Sequence, residues 1–190
     1  MATRAAPRVA LIGLPGSGKS AVAPLLAARL GVAAADLDEA IERAAGRPVA
    51  AIFADAGEAS FREAEARALA AALARDEGVV IACGGGVTTS EASRSLLRAR
   101  ATVVWLRISP ALAARRLGPS GLAARPLIAA AGGAASEAAG AAALAALLAA
   151  REGHYATAAD VVVETGGRTA EAAAEAAEAA LRERWAGSAS

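Results

Sequence analysis

The 190-residue sequence contains one cysteine, one histidine and one lysine. With Cys83 alone, an internal disulfide and any zinc site built from several cysteines are excluded. Aromatic residues make up 3% of the chain, too few for platforms on which bases could stack. The formal net charge of +1 leaves no basic excess, so no nucleic-acid partner is expected. Mean hydropathy is +0.40. Yet the longest charge-free stretches, 78–90 and 138–150, run for only 13 residues, short of the about 20 that a membrane-spanning helix needs. Alanine fills 62 of the 190 positions and accounts for the positive hydropathy, so no membrane partner is expected. The apolar run Val9–Ile12 is too short for a signal peptide, and no Ala-x-Ala cleavage pattern follows it. A reducing, cytoplasmic setting is the expectation.

With 56% hydrophobic and 21% charged residues the chain can build a core. Its length suggests one domain, here 1–186, followed by a disordered tail at 187–190. The sequence does not fix the oligomeric state; a monomer is the default. Short apolar runs read as strands at Val9–Ile12, Val32–Ala35, 79–81, 102–108 and 161–163. Between them lie helical stretches at Ser20–Leu30, Asp38–Ala45, 49–74 (broken near Gly57), Ser90–Arg98, from Ser109-Pro110 onward, Ser136–Arg151 and Thr169–Arg184. Such alternation predicts an α/β fold whose parallel sheet is covered on both faces. Residues 118–133, bracketed by Gly118-Pro119-Ser120-Gly121 and Gly132-Gly133, read as a mobile excursion outside the core.

Gly13-Leu14-Pro15-Gly16-Ser17-Gly18-Lys19-Ser20 matches G-x-x-x-x-G-K-[ST] between a strand and a helix, the setting in which a phosphate loop works. Chance would produce the pattern in about one chain of this composition per thousand. Glycines let backbone N–H groups converge on phosphate oxygens, and the helix N-terminus favours an anion. Lys19 would bridge the β- and γ-phosphates of a nucleoside triphosphate, and the Ser20 hydroxyl would ligate Mg²⁺. Asp36 stands at the carboxyl end of its strand, where ligands gather in such sheets, and is the best second metal-side acid. Glu164 is a weaker one.

The acceptor side is less determined. Asp38, two residues after Asp36, could face the same mouth or simply cap the next helix. Phe61-Arg62 could form a carboxylate pocket. The alternative, which the residues alone favour, is that Arg62 is a surface residue paired with Glu58 or Glu65. Three glycines in a row, Gly84-Gly85-Gly86, directly after a strand suggest close approach to a ligand.

These segments, with Ile52-Phe53, Gly57-Glu58, Arg125-Pro126-Leu127 and Arg151 with Tyr155, run in an order that resembles the shikimate kinases over about residues 8 to 165. The resemblance implies a five-stranded parallel sheet of order 2-3-1-4-5, with acceptor-binding helices at about 38–74 and a lid at about 118–133. It implies transfer of the ATP γ-phosphate to the 3-hydroxyl of shikimate with Mg²⁺. The catalytic residues would then be Lys19, Asp38 and Arg125. Asp38, Phe61, Arg62, Gly84, Gly85, Gly86 and Arg151 would bind the acceptor, with Arg62 and Arg151 on its carboxylate. Gly13 to Ser20, Arg125 and Arg116 would bind the nucleotide, Arg116 lying along the adenine with Arg115 as its alternative. Ser20 and Asp36 would hold the metal. Related kinases of an amino-shikimate or gluconate, or a nucleotide-binding module without catalysis, are the alternatives.

Overall fold

The computed structural model describes residues 6–187, so residues 188–190 of the expected tail lie outside the described residues. Five strands, β1 (Arg8–Ile12), β2 (Ala33–Asp36), β3 (Val79–Ala82), β4 (Thr102–Arg107) and β5 (Val161–Glu164), form one sheet in the order β2-β3-β1-β4-β5. Every pairing is parallel, with Leu11 opposite Ala82, Ile12 opposite Trp105, Asp36 opposite Ala82 and Arg107 opposite Glu164. The fold class read from the sequence pattern and the strand order implied by the resemblance are those observed.

The period-two alternation of strand side chains supplies two apolar layers. Val9, Leu11, Val80, Ala82, Val104 and Leu106 point into one, where helices α1 (Lys19–Leu30) and α8 (Ala170–Gly187) pack through Val22, Leu26, Ala174 and Leu181. Ala10, Ile12, Val79, Ile81, Val103 and Trp105 point into the other. That face is covered by α3 (Val49–Leu73), α4 (Glu91–Arg100) and α7 (Glu137–Ala158), which bring Leu69, Leu73, Leu97 and Tyr155. Arg29 on α1 pairs with Glu178 of α8 at 2.6 Å and with Glu175 at 3.6 Å, giving the acidic face of the last helix its partner. Three of the four residues of the second strand are alanines, poor strand formers; its ladder to β3 holds it at the sheet edge.

Helix α2 (Leu37–Ala45) starts where β2 ends. Its cap is Asp36, whose Oδ1 accepts from the Asp38 N–H at 2.9 Å. Asp38 is therefore not the cap the sequence allowed; it lies in the first turn. Helix α7 runs further than the expected end at Arg151, to Ala158.

The segment 118–133 departs most from expectation. Helix α5 (Pro110–Ala123) passes through a break at Gly118, and a short helix α6 (Pro126–Ala130) follows. Leu122 and Ile128 are buried against Leu14, Ile108, Ala113, Ala114 and Leu144. The segment is thus part of a packed cluster, which corrects its reading as lying outside the core. Its glycines mark close contact as well as turns. A Cβ at Gly140 of α7 would stand 2.5 Å from a Leu122 methyl, and one at Gly133 would stand 2.6 Å from Ile128 Cγ2.

Leu122→Ala would leave a cavity at that contact. Thermal denaturation should show a loss of about 2–5 kcal/mol, the usual cost of truncating a buried leucine. An unchanged midpoint would mean that the segment does not pack as described.

Candidate active site

All the sequence-derived candidates fall at or near the carboxyl edge of the parallel sheet. The loop from Gly13 to Gly18 leaves β1 and turns into α1. Gly13, Gly16 and Gly18 have φ of 140°, 80° and 98°, values that side chains resist. Gly13 and Gly16 are also pressed from outside: a Cβ on Gly16 would lie 2.7 Å from the Ala113 carbonyl oxygen, and one on Gly13 would strike the Leu106 carbonyl. Pro15 lies against Gly85, so the loop touches the β3 exit directly. Helices α4, α5 and α7 are capped by the side chains of Ser90, Ser109 and Ser136. Helix α1 has Gly18 at its N-cap and no side-chain cap bond. Its first N–H groups are left to meet an anion.

Lys19 is 9% exposed. Its ammonium donates to the carbonyls of Gly13 and Leu14 at 2.9 Å each and to Ser17 Oγ at 3.4 Å. Burial pulls its pKa down to about 8, with Asp38 the strongest opposing charge. The Ser20 hydroxyl donates to Asp36 Oδ2 at 2.6 Å. Two hard oxygen donors beside a phosphate loop suit a magnesium ion, which takes one or two protein oxygens and completes its shell with phosphate and water. Among the described residues no cluster of three or more His, Cys, Asp or Glu could hold a metal by itself. Glu164, the weaker metal-side candidate, pairs with Arg107 at the end of the last strand.

Asp38 has its pKa raised by burial first and by Asp36 second, while Lys19 and Arg125 draw it back. Arg125, the N-cap residue of α6, donates to the Gly121 carbonyl at 2.6 Å. Its charge is felt by both Lys19 and Asp38, so the middle of the 118–133 segment lies near the phosphate loop. Arg116 donates to the Arg168 carbonyl at 3.1 Å and to that of Thr165. It borders a cleft of about 200 Å³ with Ser17, Gly18 and Thr169, which Arg115 does not line.

The acceptor-side candidates meet on the β3 exit. None of Gly84, Gly85 and Gly86 has a positive φ, so close approach is what requires glycine here. A Cβ on Gly84 would strike Glu65 Oε1, one on Gly86 would strike the Arg62 guanidinium, and one on Gly85 would press Pro15 at 3.3 Å. The Gly85 carbonyl accepts from Arg151 Nη1 at 3.0 Å and from the Tyr155 hydroxyl at 2.5 Å. Arg151 is 6% exposed. Phe61 is buried with Ile41 and Ile52, stacks on Phe53 at 4.6 Å between centroids, and lies 5.3 Å beneath Arg62 Cζ.

Arg62 does pair with both acidic neighbours, as its surface reading supposed: with Glu65 at 2.7 Å and Glu58 at 3.0 Å. Yet it is largely buried and sits at the Gly84–Gly86 mouth, so the two readings describe one residue. Glu65 is the residue the sequence reading undervalued. Its side chain is 3% exposed. Burial raises its pKa despite Arg62, and Oε1 makes no hydrogen bond. Its position three after Arg62 was visible; its burial was not.

Three comparisons bear on this arrangement. The family profile described as Shikimate kinase matches residues 15–182. A shikimate kinase of Mycobacterium marinum is 50% identical over 124 residues, 65% of this chain and 65% of that protein, so the aligned part spans just under two thirds of the relative. A shikimate kinase of Saccharopolyspora erythraea is 50% identical over 123 residues, 65% of this chain and 68% of its own. Among solved structures, shikimate kinase from Acinetobacter baumannii in complex with shikimate superposes with a TM-score of 0.84 at 30% identity, covering 93% of each chain. Shikimate kinase from Aquifex aeolicus gives 0.73 at 28% identity, over 92% of this chain and 96% of that one. With the family profile covering most of its length, the chain belongs to the shikimate kinase family.

Proposed function

We propose that this protein transfers the γ-phosphate of ATP to the 3-hydroxyl of shikimate, giving shikimate 3-phosphate. The observation that carries this reading is the convergence of Arg62 and Arg151 on a side-chain-free backbone that also touches the phosphate loop. Two arginines there suit one carboxylate, and the A. baumannii relative is recorded with shikimate bound.

Phosphoryl transfer asks mainly for positioning and for cations around the phosphoryl oxygens. The α1 N-terminus and loop amides would cradle the phosphates, with Lys19 exchanging its loop carbonyls for phosphate oxygens. Arg125 would add a second cation from above, and residues 118–133 would act as a lid that excludes water. Arg116 would flank the adenine. Ser20 and Asp36 would hold magnesium, which supplies charge neutralisation at the phosphates when bound. Asp38 would accept a hydrogen bond from the attacking hydroxyl and take its proton as the bond to phosphorus forms. Burial lifts its pKa and so makes it a better base than an exposed aspartate.

The direct test incubates the protein with Mg·ATP and shikimate, gluconate or no acceptor and follows ADP. Stimulation by shikimate is expected; ADP release indifferent to shikimate would refute the reading. Asp38→Asn should lower kcat by about 100-fold or more while leaving Mg·ATP affinity near wild type, within the range that positioned bases contribute. An unchanged kcat would remove Asp38 from the base role.

Lys19 gives a pH signature. Its pKa is near 8 in the described conformation, and bound phosphates would raise it. Well below pH 8 it is already charged, and binding needs no proton for it. At about pH 8.5 much of it is neutral, so ATP binding should take up a proton. Calorimetry in two buffers of different ionisation enthalpy should show more uptake at pH 8.5 than at pH 7, and Lys19→Met should lose the difference.

A further inference from the structure

The Arg62 guanidinium has two edges able to grip a carboxylate with paired N–H groups: Nη1 with Nη2, and Nε with Nη2. Nη1 donates to Glu65 Oε2 at 2.7 Å, which engages the first edge. The second is held by Glu58, whose Oε1 accepts from Nε at 3.3 Å and from Nη2 at 3.0 Å. Gly86 lies against the guanidinium, so the fork is also confined from that side. An incoming carboxylate thus finds the two-nitrogen edge taken by an internal one.

We propose that Glu58 is a stand-in carboxylate on Arg62, displaced when an acceptor carboxylate binds. The proposal rests on the carboxylate-pocket reading above and adds a competitor within that pocket.

The two acids on Arg62 differ in what leaving would cost. Glu65 is 3% exposed and would carry its charge into a dry site without its partner. Glu58 is 51% exposed and can swing into water. The backbone around it favours this. Gly57, with φ 73° and ψ 176°, interrupts α3, and Glu58 is the first residue after the break. Its side chain can turn outward without disturbing a hydrogen-bonded helical turn before it. An acid at the start of a helical piece is also favoured by the local helix dipole, which offsets part of the lost ion pair.

The device confers specificity. Held by Glu58, the fork stays aimed at the mouth, yet it releases only to a group that pairs with guanidinium as well as a carboxylate does. A neutral polyol cannot repay the displacement, whereas an acid such as shikimate can.

Glu58→Gln keeps the shape and removes the charge; Glu58→Asp keeps the charge and shortens the arm. If Glu58 competes with the acceptor, Glu58→Gln lowers the shikimate KM, and the shikimate Kd measured by calorimetry, by about two- to fivefold, the range of exposed ion pairs. The kcat and the ATP KM stay at wild type, and Glu58→Asp stays near wild type throughout. A rise in shikimate KM in Glu58→Gln would make Glu58 an aid to binding and overturn the proposal, as would no change. Arg62→Ala, run alongside, separates the two levels: it should raise the shikimate KM strongly and leave ATP binding intact. Unchanged shikimate binding in Arg62→Ala would instead remove the carboxylate pocket itself.

Discussion

The architecture of the site depends on three consecutive residues without side chains. Where β3 ends, Glu65 and Arg62 from α3, Pro15 from the phosphate loop, and Arg151 with Tyr155 from α7 all press on the backbone of Gly84 to Gly86. That backbone is fixed in turn by its strand, which lies between β2 and β1 in the sheet. Packing there sets the distance between the phosphate loop and the arginine pair. A methyl group on any of the three glycines would push a functional side chain or the loop itself, so phosphate side and acceptor side are coupled through one short contact surface.

Much of this was legible in the sequence because it rests on local rules. The phosphate loop follows from glycine geometry and a helix start. The sheet follows from short apolar strands alternating with helices, each strand feeding two layers by simple alternation. What escaped was decided by tertiary contact. Gly118, Pro119 and Gly132-Gly133 are turn signals and read as such, yet Leu122 and Ile128 between them are captured by α7. Asp36 and Asp38 both carry carboxylates suited to a cap, and only the place where β2 stops selects Asp36. Glu65 stood out only as a possible partner of Arg62, since its spacing from Arg62 says nothing of what covers it. With alanine at a third of all positions, helical periodicity is faint, and burial is hard to assign from pattern alone.

The alanine excess has its own structural use. Small side chains let helices approach closely, and Gly133 and Gly140 extend this at the contact between α7 and the 118–133 segment. Cores built this way bury less apolar surface per residue than leucine-rich ones, so stability leans on close fit. Leu14 links this to function: it belongs to the phosphate loop and to the same buried cluster as Leu122 and Ile128. Motion of that segment cannot leave the loop unaffected.

The lone lysine has a further consequence for how the molecule can be observed. Lys19 supplies the only peptide bond in the chain that a lysine-directed protease can cut, and that bond lies inside the phosphate loop at the start of α1. With its ammonium held by two loop carbonyls and its side chain buried, cleavage there requires the loop to open. The composition of this chain thus builds in a single-site reporter: the appearance of two fragments follows the opening of the fold, local or global, at this one bond, with no label and no engineered residue.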